Sequence, residues 1–227
     1  MFGLILLLLL LGLILGPGLW VKRVIARYSE PADRYEQSGA ATARQLLKVL
    51  GLEGVGVEVS ESGDHYDPQD KVVRLEPRHY EGRSLAAVTI AAHEVGHALQ
   101  DARAYVPLRM RTRLVRWVGP VEKMGALLLM ATPVIIGLSR VPAAGLLFFL
   151  GGFLSLGAAV LVHMLTLPTE FDASFGRALP LLDEHDLLHR VDRPHARKLL
   201  KAAAMTYVAA SLMSLLNIAR WWAILRR

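Results

Sequence analysis

The chain has 227 residues, of which 53% are hydrophobic, and a formal net charge of +6. That hydrophobic share exceeds what an ordinary soluble domain carries, and the absence of cysteine excludes a disulfide framework and cysteine-based zinc sites. Excess Lys and Arg beside apolar spans marks flanks that stay in the cytoplasm or rest on anionic headgroups. No nucleic-acid-binding motif accompanies these charges, so we expect no nucleic acid partner.

The first predicted element is a membrane span over residues 2–20, which are nearly all Leu, Ile and Gly. This run is long enough to cross a hydrocarbon core of about 30 Å. A cleaved signal peptide is the competing interpretation, but no basic segment precedes the run and no small-residue cleavage site follows it. We therefore expect residues 1–21 to be a retained signal anchor, with a helix that kinks or ends at Gly16-Pro17-Gly18.

Residues 22–117 are polar and mixed, and we expect them to form a cytoplasmic catalytic domain. Helical periodicity runs from Ser38 to Leu52, and alternation at Val55, Val57 and Val59 predicts a strand. Residues 63–68 are typical of a turn, and residues 71–75 predict a second strand.

A third helix is predicted from Ser84 to about Ala104, and it carries the pattern HExxH as His93-Glu94-Val95-Gly96-His97. Positions four apart lie on one face of a helix, so both imidazoles can hold one Zn²⁺. Glu94 is then placed to act as general base on a water at the metal. Small residues surround the motif, which favours close helix packing around a buried metal.

Two further spans are predicted at residues 118–138 and 143–167, joined by a tight turn at 139–142. We expect them to form an antiparallel hairpin, assigned as 118–168. A polar cytoplasmic segment follows at 169–201, and a last transmembrane helix occupies 202–227.

The charge distribution predicts the topology. Lys22, Arg23 and Arg27 follow the first span, so the positive-inside tendency places residues 22–117 in the cytoplasm. The hairpin returns the chain to the same side, and 169–201 is also basic. The arginines near the end of the chain oppose this assignment for the last helix only.

Two histidines leave zinc one protein ligand short, because catalytic sites typically use three and keep one open position. Glu170 directly follows the hairpin, on the side where His93 and His97 emerge. His163, one heptad earlier and inside a predicted span, is the main alternative ligand, and Asp172 is the second.

Several segments match a known family. AAHEVGHALQ at 91–100, DHYDPQDKVVRL at 64–75, LPTEFDAS at 167–174 and ARKLLKAAAMTYVAA at 196–210 resemble the YugP-type neutral zinc metallopeptidases of bacterial membranes. The resemblance runs from about residue 38 to about residue 215. It implies a membrane protease of the bacterial inner (plasma) membrane, multi-pass, with undefined substrates.

The segment around Glu170 is also similar to the E-x-x-A-D element of HtpX-like and CAAX-prenyl-protease-like gluzincins. In those families the Glu is the third zinc ligand, and the Asp four residues later supports a histidine. Ser174 stands at that Asp position here. The orienting role would then fall to Asp172 or another carboxylate.

We therefore expect a mainly α membrane protein with about four transmembrane helices and a small α+β, gluzincin-like cytoplasmic catalytic domain with a short sheet. One Zn²⁺ per chain would be held by His93, His97 and Glu170, and Glu94 would be the base for hydrolysis of protein or peptide substrates, membrane proteins among them. A further hypothesis makes residues Val72, Val73 and Arg74 an edge strand that binds substrate, the alternative being an ordinary core strand.

Tyr207 would donate to the oxyanion, or else serve in packing at the membrane interface. The alternative function is a zinc-binding structural or regulatory membrane protein without catalysis. A zinc transporter is disfavoured, because it would need ionisable residues at the midplane of several spans, and His163 is the single candidate there.

Overall fold

A computed structural model describes residues 2–206, 208, 209 and 212. The described chain is mainly helical with a small sheet, and it divides into two compact units. The first unit contains the beginning of helix α1 through Gly18 and the segment Met110–Thr166. The second contains Leu19–Arg109 and Leu167–Thr206. The second unit therefore holds HExxH and Glu170 together.

The first unit is built from long apolar helices. Helix α5 (Val106–Ser139) and helix α6 (Pro142–Phe171) form a hairpin around Arg140, which has a positive φ of 53°. The helices approach closely, because a Cβ at Gly152 would lie 2.6 Å from Leu129 Cγ. Both predicted spans of the hairpin fall within these helices. Among the described residues, α5 alone is long and apolar enough to cross a membrane by length and composition.

Helix α1 decides one half of the prediction that the first helix kinks or ends at Gly16-Pro17-Gly18. It runs from Phe2 to Tyr28 and contains Pro17 inside it, so the helix does not end at Gly16-Pro17-Gly18. A proline removes only the hydrogen bond to the carbonyl four residues earlier, and the bonds on either side can continue the helix. Tyr28 therefore marks the end of the first helix.

The second unit contains a three-stranded sheet in the order β1-β3-β2. Strand β1 (Gly56–Val59) pairs in parallel with β3 (Val72–Leu75), and β2 (His65–Asp67) pairs antiparallel with β3. The prediction of strands near 55–59 and 71–75 is confirmed. The turn predicted at 63–68 is wrong in part, because β2 lies inside it.

The predicted edge strand at Val72, Val73 and Arg74 is wrong, because β3 is the central strand of this sheet. The short turn after β2 folds that strand onto one side of β3, and β1 takes the other side. Val73 and Leu75 are fully buried, as expected of a central strand. The backbone of β3 therefore has both sides paired and cannot receive a substrate strand.

Helices pack on this sheet around one apolar core. Helix α2 (Gly39–Val49) begins at Ser38, whose Oγ accepts from the Ala41 N–H, and Gly51 follows its end with a φ of 68°. A short helix α3 (Pro77–Tyr80) precedes helix α4 (Leu85–Ala102). The predicted helices at 38–52 and 84–104 are thus confirmed.

The polar segment at 169–201 contains structure that the sequence did not predict. A π-helix (Asp172–Ala178) continues α6, followed by α7 (Leu179–Glu184), a 3₁₀ turn (Arg190–Asp192) and α8 (Arg193–Ala204). The π-helix and α8 both pack against α4, where Ala173, Ala178 and Leu200 are fully buried. Most of the last predicted helix lies outside the described residues.

Candidate metal centre

Helix α4 carries the HExxH residues in the middle of the second unit. Ser84 caps the helix by accepting from the Ala87 N–H at 3.1 Å. His93, Glu94 and His97 are only 4%, 6% and 4% exposed. A helix with polar side chains this deeply buried requires partners for them from neighbouring elements.

Gly96 lets one such element approach. It lies between the two histidines, and a Cβ there would lie 2.7 Å from the backbone oxygen of Ala173 in the π-helix. Such a contact is shorter than van der Waals packing allows, so a larger residue would separate the two helices. The absence of a side chain at Gly96 brings the chain after α6 directly against the motif.

Glu170 meets both histidines at this contact. Its Oε2 lies 3.3 Å from Nε2 of His93 and 3.3 Å from Nε2 of His97, and the side chain is almost fully buried. Zinc lies about 2.0–2.1 Å from such ligands, so two ligand atoms around a tetrahedral ion are about 3.3 Å apart. The observed separations fit that geometry, and the three side chains could hold a metal ion.

Ser174 fixes the orientation of His93. Its Oγ donates to the backbone oxygen of Leu200 at 3.1 Å, and it lies 3.1 Å from Nδ1 of His93. A serine hydroxyl has one hydrogen, so Oγ must accept from the Nδ1–H of the imidazole. In the neutral imidazole of His93, the lone pair is therefore on Nε2, which faces Glu170.

Gln100 performs the same task for His97. Its Nε2 donates to the backbone oxygen of Thr169 at 2.8 Å and to Asp172 at 2.7 Å, which leaves its Oε1 to accept from His97 Nδ1 at 2.9 Å. Arg177 donates from Nε to the same Asp172 oxygen at 2.7 Å. Both histidines thus direct Nε2 towards Glu170 and donate from Nδ1 to a polar partner. Metal-binding histidines are held by the same kind of hydrogen bond from the ring nitrogen that does not bind the metal.

The other predicted site residues lie elsewhere. Among the described residues, Asp172 does not converge with His93 and His97, and it reaches His97 only through Gln100. The His163 side chain and Tyr207 lie outside what the structure describes.

Gln100 was missed by the sequence analysis. The available signal was its position three residues after His97, which places both side chains on one helical face.

A second group of potential ligands lies near the sheet, formed by Asp64, Glu76 and His79. Asp64 accepts from the Glu76 N–H at 2.8 Å and from Nδ1 of His79 at 2.7 Å. Glu76 accepts from Nε of Arg78 at 2.6 Å. Both carboxylates and Nδ1 of His79 thus have ordinary hydrogen-bond partners, whereas the buried Nε2 of His79 has none among the described atoms. We infer that the group braces the chain before α3.

Comparison with known proteins gives the chemical context. A family model described as "Putative neutral zinc metallopeptidase" matches residues 3–226. The chain is 36% identical over 213 residues to the "Putative membrane protease YugP" of Bacillus subtilis (strain 168), and the match covers 91% of each chain. No solved structure matches the chain.

Proposed function

This chain belongs to the family described as "Putative neutral zinc metallopeptidase", and on that basis we propose that it is an integral-membrane zinc metalloendopeptidase. The observation that carries the proposal is the convergence of His93, His97 and Glu170, with both imidazoles oriented from outside. Two neutral imidazoles and one carboxylate make up the ligand set of gluzincin-type catalytic zinc sites.

We propose that these three residues hold one zinc ion per chain. When bound, zinc lowers the pKa of a water molecule from near 15.7 to about 7 and polarises the scissile carbonyl. Ser174 and Gln100 keep the two imidazoles in the ligating tautomer, and such supporting contacts typically contribute 10–100-fold to metal affinity. Asp172 and Arg177 fix the amide of Gln100 in turn.

Glu94 is the proposed general base. It follows His93 directly on α4 and is nearly as buried, which keeps its carboxylate in a water-poor environment. In the proposed reaction it accepts the proton of the attacking water and passes it to the leaving amine. Hydrolysis then leaves a carboxylate and an amine at the cleaved peptide bond.

Glu94→Gln tests this assignment. We expect the purified variant to retain zinc and to lose peptide hydrolysis by a factor of about 10²–10⁴, because amide nitrogen cannot accept a proton. Glu81→Gln, at an exposed position before α4, is the matched control and should behave as the wild type. Unchanged hydrolysis by Glu94→Gln, or a wild-type chain that binds zinc without cleaving any peptide in a mixed library, would favour a structural or regulatory zinc protein.

Strand β2 is the proposed substrate edge in place of β3. It packs against α4, and Tyr66 on this strand donates to Asp101 of that helix at 2.8 Å. Burial, with the hydrogen bond to Asp101, raises the pKa of Tyr66 above its ordinary value. An extended peptide can add to such an edge by backbone hydrogen bonds.

Photo-crosslinking can test which edge binds substrate. A photoreactive phenylalanine at His65 in β2 should crosslink to a bound peptide inhibitor, whereas one at Val57 in β1 should not. Crosslinking at Val57 alone would assign the substrate to the opposite edge of the sheet.

The proposed location is the bacterial plasma membrane, with protein or peptide substrates, no nucleic acid partner and the site facing the cytoplasm. Reporter fusions after Arg27 and Arg190 should both report cytoplasm, and a fusion at Arg140 should report the opposite side. Fusions at 27 and 190 that report opposite sides would contradict the arrangement, because residues on both sides of the hairpin build the metal centre.

A further inference from the structure

Two helix ends that are far apart in sequence lie side by side in the second unit. The rings of Tyr28, at the end of α1, and His195, at the start of α8, lie 5.2 Å apart between centroids. Val24 of α1 and Leu199 of α8 belong to the same buried cluster. The two helices bury apolar faces and expose cations, which we call the basic face: Lys22, Arg23, Arg27, Arg197, Lys198 and Lys201.

The cations of the basic face make no ion pairs with the protein. Among the described residues none of the six has a carboxylate within ion-pair distance, although Glu30 and Asp192 directly flank segments 20–29 and 193–206 and line a cavity together with Arg27. Arg27 and Arg197 lie only over the rings of Tyr28 and Phe175. Six other cations of the same unit, one of them on α8 itself, pair with carboxylates: Arg34, Lys71, Arg74, Arg78, Arg177 and Arg193.

The basic face also adjoins apolar sequence at both of its ends. Lys22 comes two residues after Trp20, at the end of the run 2–20, and Lys201 directly precedes the apolar segment 202–225. If both runs lie in the bilayer, these cations lie within the first turns outside it. Side chains as long as Lys and Arg reach headgroup phosphates from such positions.

We propose that the basic face binds the headgroups of anionic phospholipids. Their phosphates supply the negatively charged partners that these cations do not have within the protein. This inference rests on the proposed membrane location and adds a lipid requirement to it. A nucleic acid also offers phosphates, but the direct continuation of both cationic segments into apolar sequence favours lipid. Each cation near an anionic surface contributes about fivefold in affinity.

The test uses the full chain in nanodiscs with Trp20 as the reporter, after the substitutions W117F, W221F and W222F. Brominated phosphatidylglycerol and brominated phosphatidylcholine are compared as quenchers of Trp20 fluorescence in otherwise identical bilayers. We expect phosphatidylglycerol to be preferred by about fivefold or more at low salt. The quadruple variant K22Q/R23Q/K198Q/K201Q should lose most of this preference and keep only what Arg27 and Arg197 contribute.

A charge-matched control separates the basic face from net charge. K48Q/R78Q/R83Q/R103Q removes four exposed cations elsewhere in the second unit and should keep the preference. Equal quenching in the wild type, or the same loss in both quadruple variants, would overturn the proposal. An RNA oligonucleotide bound by the wild type and not by the first variant, without any lipid preference, would assign the face to nucleic acid.

Zinc content and peptide hydrolysis in detergent distinguish this inference from the proposed function. Both properties should be unchanged in the two quadruple variants, because none of the substituted residues contacts the metal centre. A lipid preference in a chain without zinc or hydrolysis would leave the inference standing and contradict the peptidase.

Discussion

The second unit contains two groups of histidine and carboxylate side chains, and they differ in what their atoms already bind. In the group of Asp64, Glu76 and His79, the carboxylates accept hydrogen bonds from within the group and from Arg78. At the metal centre, both Nδ1 atoms face outward and both Nε2 atoms face one carboxylate oxygen. If the Asp64 group is structural and the metal centre binds zinc, as we propose, then the direction of the lone pairs distinguishes the two groups better than composition or proximity does.

The largest expected difference between the two groups is in zinc content. We expect His97→Ala to purify without zinc, because one of three ligands is missing, and His79→Ala to retain about one zinc per chain. Elemental analysis of the two variants measures the difference. Normal zinc in His97→Ala, or zinc loss in a folded His79→Ala, would reverse the assignment of the two groups.

Removal of an orienting partner should have a smaller effect. We expect Gln100→Leu to weaken zinc binding about 10–100-fold, because His97 loses the acceptor that fixes its tautomer. Chelator competition gives the affinity, and Gln45→Leu, at an exposed position on α2, is the control. Affinity equal to the wild type would show that the Gln100 contact does not orient His97.

Substitution in the second group should affect stability and leave zinc unchanged. Asp64→Asn weakens the hydrogen bonds from Glu76 and His79, and we expect the free energy of unfolding to fall by about 1–3 kcal/mol. Thermal melting in detergent measures the change, with zinc content as the second readout. A variant that loses zinc at unchanged stability would place a metal ligand where we infer a structural brace.

The smallest expected effect is a pH dependence of the unfolding free energy that comes from Asp192. This buried carboxylate accepts hydrogen bonds from Arg34 and Tyr35. Burial by itself raises the pKa of Asp192, but hydrogen bonds from Arg34 and Tyr35 outweigh it and leave the pKa below its ordinary value. A lowered folded-state pKa stabilises the fold above about pH 4, and the contribution is lost as the pH falls through the folded value. The stability difference between the wild type and Asp192→Asn should therefore narrow below about pH 4, and a constant difference would contradict this.

Local patterns predicted the elements that carry the motif. Ser38 and Ser84 cap α2 and α4 as their positions before periodic apolar residues indicate. The predicted hairpin also puts Glu170 on the side of His93 and His97, since two antiparallel helices return the chain to its starting side. Both results depend on short-range periodicity or on chain connectivity, which a sequence shows directly.

The remaining features depend on tertiary partners. The residues around His65 have turn-like composition, and β2 forms there because β3 offers a backbone to pair with. The central position of β3 follows from both neighbours together and cannot be inferred from residues 71–75. The local sequence shows Gln100 only as a helix residue. Its role depends on hydrogen bonds to Thr169 and Asp172, which form only in the folded chain.

The order of the ligands along the chain has a consequence for biosynthesis. His93 and His97 are translated before the hairpin of α5 and α6, and Glu170 follows it. A growing chain therefore has only two of the three proposed ligands while the hairpin is still being synthesised. The Ser174 hydroxyl is positioned later still, by the Leu200 carbonyl on α8. Under the proposed function, the metal site of the newly made protein would thus stay incomplete until the chain through α8 has been synthesised.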